Sequence, residues 1–184
     1  KRVTADFAPK AEFDFISLKP GDKVVGADLA SDDDEFVFIT NDAQLLKFAA
    51  KTVRPQGRGA AGVAGINLAQ GAEAISFSVA KKGMENIAVT AANSSGSLSG
   101  TDAGSVKWTP LSEFPAKGRA TGGVRAHKFI RTEDQLYFGW AGPSEAIALS
   151  ADGKPAELPS EPSKRDASGS KSAGSIGSIG HKLS

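Results

Sequence analysis

The sequence predicts an all-β fold assembled from about three copies of a four-stranded unit. Two observations support this prediction. A glycine- and arginine-rich loop occurs twice, and segments in which apolar and polar residues alternate flank each copy. The repeat length is about 50 to 60 residues, which matches four short strands with their turns. Helix signals are nearly absent, so we expect strands throughout.

The repeated loop occupies residues 54–68 and again residues 115–129, and the two copies align without a gap. In both copies glycines flank an arginine, and an apolar alternation follows. Glycine lets the backbone approach a partner closely, whereas arginine offers a planar fork of donors that suits phosphate. The pattern therefore predicts a surface that meets a polyanion at regular intervals. The aligned pairs include Gln56 with Lys117, Arg58 with Arg119, Gly62 with Gly123 and Leu68 with Phe129.

The segments around the loops repeat as well, which distinguishes a true repeat from a chance cluster of glycines. Residues 21–29 align with residues 71–79, and a third copy begins at Thr132. Residues 23–29 are accordingly expected to form a strand. The expected repeats span residues 1–40, 41–90 and 91–150.

Beyond residue 150 the sequence becomes rich in Pro, Ser, Gly and Lys. Such a segment buries too little apolar side chain to offset the entropy lost on ordering. Residues 151–184 are therefore expected to be a disordered tail. The chain also opens without an initiator methionine, so we expect it to be part of a longer protein.

The composition excludes several classes of site. The chain has no cysteine, which excludes disulfides and cysteine-bound zinc, and its two histidines are too few for a histidine-built metal site. We therefore expect no metal and no cofactor. The formal net charge is only +1 at pH 7, so affinity for nucleic acid would have to come from clustered cations. No apolar run approaches the roughly 18 residues of a membrane-spanning helix, and no signal-like start is present, which predicts a cytoplasmic location.

One motif has to be set aside. Gly57-x-Gly59-x-x-Gly62 formally matches the dinucleotide-binding fingerprint. That fingerprint needs a strand before it and a helix after it, whereas Arg54-Pro55 precedes these glycines and a strand-like segment follows them. The acidic run Asp32-Asp33-Asp34 lacks the spacing and the glycine of a calcium loop. It is interpreted as a solvated hairpin tip.

No constellation of acid and base groups is visible, so no catalytic residue is expected. Tyr137, Trp108 and Trp140 lie in strand-like segments and are expected to pack in or near the core. His127 falls in the polar phase of its segment and is expected to be a surface hydrogen-bond donor.

Basic residues gather in and around the two loops, whereas acidic residues fall at the expected hairpin tips. One interpretation is that these cations keep exposed strand edges positive and so prevent aggregation. Because charge is sorted by position within the repeat, we favour a surface that binds a polyanion. The residues predicted to form it are Lys47, Lys51, Arg54, Gln56, Arg58, Lys107, Lys117, Arg119, Arg125, Lys128 and Arg131.

The loop, its second copy and the flanking strands resemble the C-terminal domain of the A subunit of bacterial type IIA topoisomerases, the family of DNA gyrase and topoisomerase IV. The resemblance covers residues 1–149. In this family each blade carries a Gly-Arg-Gly-rich turn, and one blade of gyrase carries the box Gln-Arg-Arg-Gly-Gly-Lys-Gly. Here the corresponding segment is Gln56-Gly-Arg-Gly-Ala-Ala-Gly62, which lacks the second arginine and the lysine. With this departure, the chain more closely resembles topoisomerase IV, or a gyrase-like paralogue, of a GC-rich actinobacterium.

The resemblance implies a β-pinwheel, a propeller-like disc whose blades exchange strands and whose rim binds and bends duplex DNA. It also implies that the catalytic tyrosine lies in a region of the parent enzyme outside this chain, so no catalysis is expected here. The implied partners are duplex DNA, the ATPase B subunit, and the rest of the A subunit, with a location at the nucleoid in the cytoplasm. An alternative from another functional class is a propeller-like protein-interaction module, whose binding would depend only weakly on salt.

Overall fold

A computed structural model of the chain describes residues 1–4, 15–57, 59–97 and 103–181. Within these ranges the regular structure is almost entirely β, with two short 3-10 turns at Ala50–Thr52 and Leu111–Glu113. The strands are β1 Glu35–Thr40, β2 Gln44–Ala49, β3 Ala74–Ala80, β4 Asn86–Asn93, β5 Ser105–Pro110, β6 Val124–Arg125, β7 Gln135–Pro143, β8 Ala146–Ser150, β9 Pro155–Ala156, β10 Ser170–Lys171 and β11 Ile176–His181.

The strands form three antiparallel sheets, which we call blades. Blade 1 has the strand order β3-β1-β2-β6, blade 2 has the order β10-β5-β4-β7, and blade 3 has the order β11-β8-β9. The inner strands of blades 1 and 2 carry apolar residues on both faces, as expected of strands covered on both sides. The predicted all-β fold with about three blades is confirmed.

Each of the first two blades is completed by a strand from the following repeat. After the β4–β5 hairpin of blade 2, the chain runs back to add β6 to blade 1 and then returns as β7. After the β8–β9 hairpin of blade 3, it adds β10 to blade 2 and returns as β11. This exchange is the pinwheel arrangement that the resemblance implied. The segments that make these two excursions are called linker 2 (115–129) and linker 3 (161–175), and the corresponding segment that follows β2 is called linker 1 (54–68).

The core lies between successive blades. Val37 and Ile39 of blade 1 pack in one cluster with Ala88 and Leu136 of blade 2. A second cluster joins Val89 and other residues of blade 2 to the β8 and β11 strands of blade 3. Blade stacking therefore buries both faces of blade 2, which is the source of most of its apolar stabilisation.

The remaining face of blade 1 is aromatic. Phe36 contacts Phe48 and Phe77 edge to face, with ring centroids 6.0 and 5.5 Å apart. Ala30 and Ile66 pack against this cluster. The predicted strand at residues 23–29 is not formed; the segment runs without sheet pairing beside this face.

The C-terminal region differs from the prediction of a disordered tail. It supplies β9, β10 and β11, and Ile176 is only 3% exposed. The prediction was wrong because it averaged the composition over the whole segment. A few apolar residues at the right positions are enough here, since blade 2 already offers an apolar face and strand edges.

The blades also begin at different places from the expected repeats. The opening hairpin strands start at Glu35, Asn86 and Ala146. The expected boundaries at residues 41 and 91 fall in the β1–β2 turn and inside β4. Tyr137, Trp108 and Trp140 are partly buried against the cluster between blades 2 and 3, so their predicted packing role is confirmed.

Candidate nucleic-acid interface

The linkers are seated on the preceding blade by equivalent backbone hydrogen bonds. In linker 2 the Lys117 amide donates to the carbonyl of Lys47 at 3.0 Å, and in linker 3 the Ser163 amide donates to the carbonyl of Trp108 at 2.9 Å. Linker 2 then passes so close to β2 that a Cβ on Gly123 would lie 2.7 Å from the Leu45 carbonyl oxygen. Glycine is required there because any side chain would collide with backbone.

Neighbouring linkers are also bonded to each other. The Asn67 amide of linker 1 donates to the carbonyl of Thr121 in linker 2 at 3.0 Å. In the same way, the Lys128 amide of linker 2 donates to the carbonyl of Ala167 in linker 3 at 3.1 Å. The three linkers therefore form one continuous band of chain across the blades, which we call the linker band.

Two arginines reinforce this band at matching positions. Nη1 of Arg119 donates to the Ala64 carbonyl at 2.8 Å, and Nη1 of Arg165 donates to the Arg125 carbonyl at 3.4 Å. In both cases the arginine of one linker bonds the strand-like part of the linker before it. A guanidinium carries five N–H donors, so each arginine keeps donors for another acceptor.

The structure brings most of the predicted DNA-binding residues to the surface of the band or its ends. Arg119 is partly buried, and Arg58 lies outside the described residues. Lys117 is exposed, although its Nζ also donates to the carbonyl of Gly122 at 2.7 Å. The exposed members of the predicted set are Lys51, Arg54, Lys117, Arg125, Lys128 and Arg131.

Two of the residues predicted to bind DNA are poorly placed to reach a ligand. The Lys47 side chain is 12% exposed, and its Nζ lies 3.0 Å from Oε2 of Glu35 across the β1–β2 pair. Gln56 is partly buried, and its Oε1 has no hydrogen-bond partner in the described part of the chain. Neither side chain is free to reach a ligand without rearrangement.

Lys107 was predicted to bind DNA, and the structure contradicts this. The residue is 1% exposed, and its Nζ donates to the carbonyls of Lys164, Arg165 and Ala167 at 2.6, 2.7 and 3.0 Å. These three acceptors use all three N–H groups of the ammonium. Burial lowers the pKa of Lys107 to about 8, against the opposing effect of Asp166 and Glu113, so the ammonium is charged at pH 7.

His127 is also buried and is not a surface donor. Nε2 accepts the backbone N–H of Gly169 at 3.2 Å, so the neutral ring carries its proton on Nδ1, which lies 3.0 Å from Oγ1 of Thr90. Burial, and then the nearby charge of Lys107, lower the pKa of His127 to about 4. His127 thus ties linker 2 to both blade 2 and linker 3.

Sequence reasoning missed the cations of linker 3, because that region was assigned to a tail. Lys164 and Lys171 are exposed, and Arg165 is partly buried in the place that Arg119 has in linker 2. A sequence signal was available: an arginine precedes a glycine by four positions in all three linkers. These pairs are Arg58 with Gly62, Arg119 with Gly123 and Arg165 with Gly169.

The described residues offer no other obvious site. They contain no group of three or more His, Asp or Glu side chains that could hold a metal ion. Among them, no helix has both the length and the apolar character required to cross a bilayer. The linker band is therefore the strongest candidate for function.

Two segments of the chain match a model of a known protein family. The family model described as DNA gyrase C-terminal domain, beta-propeller, matches residues 34–81 and 98–129, which contain β1 to β3 and β5 to β6 together with linkers 1 and 2. Together these segments make up 80 of the 184 residues, and over them the chain is similar to the DNA gyrase C-terminal domain family.

Relatives with this domain are gyrase A subunits. The chain is 32% identical over 117 residues to the DNA gyrase A subunit of Streptomyces coelicolor, and 32% identical over 109 residues to that of Escherichia coli K12. These alignments cover 62% and 59% of this chain, but they span only 12% and 11% of the relatives. The chain is therefore similar to a small part of a gyrase A subunit.

Solved structures share the fold of this chain. The C-terminal domain of DNA topoisomerase IV matches with a TM-score of 0.72 and 23% identity, covering 90% of this chain and 51% of that one. A DNA gyrase A C-terminal domain matches with a TM-score of 0.67 and 19% identity, covering 90% and 56%. Both enzymes are represented, so the predicted preference for topoisomerase IV, and for an actinobacterial source, stays a prediction.

Proposed function

We propose that the linker band binds the phosphate backbone of duplex DNA and bends the duplex along its length. The observation that carries this proposal is the continuity of the band, in which backbone hydrogen bonds join each linker to the next. Linkers 1 and 2 together contain six cations, at positions 54, 58, 117, 119, 125 and 128. Neither of these two linkers contains a carboxylate. A row of cations free of acid is suited to a polyanion.

The chemistry of the band favours phosphates over bases. Arg119 is held by a carbonyl of the neighbouring linker, so its guanidinium presents the remaining donors from a fixed position. The exposed lysines Lys117 and Lys128 add point charges beside it. Contacts of this kind position a duplex without reading its sequence. Phosphate contacts repeated from one linker to the next would offset the energy needed to bend the DNA.

The proposed biological role follows from the family. The chain would serve as a non-catalytic part of a type IIA topoisomerase A subunit in the bacterial cytoplasm, at the nucleoid. It would act there with an ATP-hydrolysing B subunit, and with the rest of the A subunit. By holding and bending DNA, it would present a segment for strand passage and tune which DNA topology the enzyme prefers.

A salt series tests DNA binding directly. A labelled duplex of about 40 base pairs is titrated with the chain, and fluorescence anisotropy gives the affinity at several salt concentrations. We expect the logarithm of affinity to fall by about 0.9 per decade of salt for each phosphate neutralised, with little difference among sequences. Absence of binding at low salt would contradict the proposal. A weak salt dependence would favour the alternative, a protein-interaction module that meets DNA incidentally.

A double substitution tests the residues. Arg58→Ala combined with Arg119→Ala should weaken DNA affinity and flatten the salt dependence by up to about two phosphates. The melting temperature should change little, because the Arg119 contact to Ala64 is a single partly exposed hydrogen bond. Lys154→Ala is the matched control, since Lys154 is an exposed cation paired with Asp152 outside the linkers. A fall in melting temperature without a change in the affinity of the folded protein would assign these arginines a structural role.

A further inference from the structure

Linker 3 repeats the geometry of linker 2 in detail. Its amide at Ser163 bonds blade 2 as the amide of Lys117 bonds blade 1, and its arginine bonds linker 2 as Arg119 bonds linker 1. Its glycine, Gly169, also passes against the neighbouring strand, where a Cβ would lie 2.9 Å from the backbone of Val106. Linker 3 is therefore a third copy of the same element, built from a stretch with a different composition.

Linker 3 also has an anchor that linker 2 lacks. The position in blade 1 that corresponds to Lys107 is Leu46, which is fully buried. Having lysine in place of this leucine puts an ammonium beneath linker 3, where it binds three backbone carbonyls of one short turn, including that of Arg165. Leaving those carbonyls without the ammonium would cost free energy, because buried acceptors need partners.

The charge of linker 3 is weaker than that of linker 2 but still positive. Across residues 161–175 it contains three cations, Lys164, Arg165 and Lys171, and two carboxylates, Glu161 and Asp166, which give a net charge of +1. Glu113 approaches the segment as well, but its Oε2 accepts the backbone amide of Arg165 at 3.1 Å. The side chain of Arg165 bonds a carbonyl of linker 2 and so lies in line with the band.

We propose that linker 3 is a third DNA-backbone contact, in which Arg165, Lys164 and Lys171 bind phosphates and the buried Lys107 acts as a positioning residue that holds the linker against blade 2. This inference rests on the proposed function of the linker band. It extends the binding surface by one blade, into a region that the sequence alone assigned to a tail.

Single substitutions test the contact. Arg165→Ala should lower affinity for the duplex of about 40 base pairs by up to about tenfold at 0.1 M salt and reduce the salt slope by about 1. Arg119→Ala is measured beside it, with Lys154→Ala as the control that leaves binding unchanged. If Arg119→Ala weakens binding and Arg165→Ala does not, linker 3 is not a contact and the proposed function stands. If neither substitution weakens binding, both proposals fail.

A double-mutant cycle tests the anchor. Lys107→Met keeps the side-chain length but removes the ammonium, so linker 3 should lose its fixed position. We expect the affinity to fall to the level of Arg165→Ala, and we expect no further loss when Arg165→Ala is added to Lys107→Met. Amide hydrogen exchange should rise in residues 164–169 and stay unchanged in linker 1. Full additivity of the two substitutions, with unchanged exchange, would show that Lys107 does not position the contact.

Discussion

At the scale of single residues, blades 1 and 2 differ at one cross-strand pair of their central hairpins. The cross-strand pair Phe38 and Leu46 of blade 1 corresponds to Thr90 and Lys107 in blade 2. The sequence suggested a surface cation at Lys107, because an alternating strand usually turns its charged residues outward. Its carbonyl partners lie 57 to 60 residues further along the chain, and no local pattern contains them.

Gly123→Ala should destabilise the fold, because the added Cβ would lie 2.7 Å from the carbonyl oxygen of Leu45 and force linker 2 away from β2. We expect the free energy of unfolding in urea to fall by about 1 to 3 kcal/mol, as for other overpacked sites. Gly122→Ala is the control, since no atom lies within 4 Å of the place that its added Cβ would take. Equal effects of the two substitutions would contradict this account.

His127 predicts a pH dependence of stability. The folded pKa of about 4 lies below the ordinary value of 6.5, because burial and then Lys107 disfavour the charged ring. Between these two pH values the unfolded chain takes up a proton that the folded chain does not. Stability is therefore complete above pH 6.5 and falls by up to about 3 kcal/mol as the pH is lowered towards 4.

The check is the free energy of unfolding of the wild type and of His127→Gln, measured from pH 7 to pH 4. Glutamine does not titrate, so the difference between the two proteins should shrink or reverse as the pH falls. Carboxylates contribute equally to both proteins and cancel in that difference. Parallel curves would mean that His127 takes up its proton at the same pH in the folded and unfolded chains, which would contradict the lowered pKa.

At the scale of elements, the C-terminal strands are part of the core. Ile176→Ala should lower the free energy of unfolding by about 2 to 4 kcal/mol, because its side chain is 3% exposed between blades 2 and 3. Ile147→Ala, in the paired strand β8, is the control, with a side chain 56% exposed and an expected effect below about 0.5 kcal/mol. Indistinguishable urea midpoints would support the disordered tail instead.

How much of these elements the sequence could predict depends on how local their determinants are. The strands with alternating or continuous apolar residues, such as β1 and β3, follow from their own residues, and so do the glycine loops of linkers 1 and 2. β10 could not be predicted in this way, because Ser170 and Lys171 are polar and pair only with an edge that β5 provides. In the candidate site, the sequence predicted the cations of linker 2. It did not predict Arg165, because the Pro-, Ser- and Gly-rich composition around this residue led to the assignment of a disordered tail.

At the scale of the whole molecule, the linker band predicts DNA bending. Ligase-mediated closure of duplex fragments of about 150 base pairs, close to one persistence length, should become more efficient in the presence of the chain. The effect should weaken in Arg119→Ala and weaken further in the double variant with Arg165→Ala, because fewer points then hold the curved path. Tight binding with no gain in closure would mean that the chain holds DNA straight.

The exchange of strands between blades has a consequence for synthesis on the ribosome. Blade 1 has only three of its strands when Ala80 emerges, and its fourth strand begins at Val124, about 44 residues later. At a translation rate of about 5 to 20 residues per second, the open edge of β2 waits for several seconds. During that interval the unpaired edge of β2 in a nascent chain is open to pairing with strands of other chains.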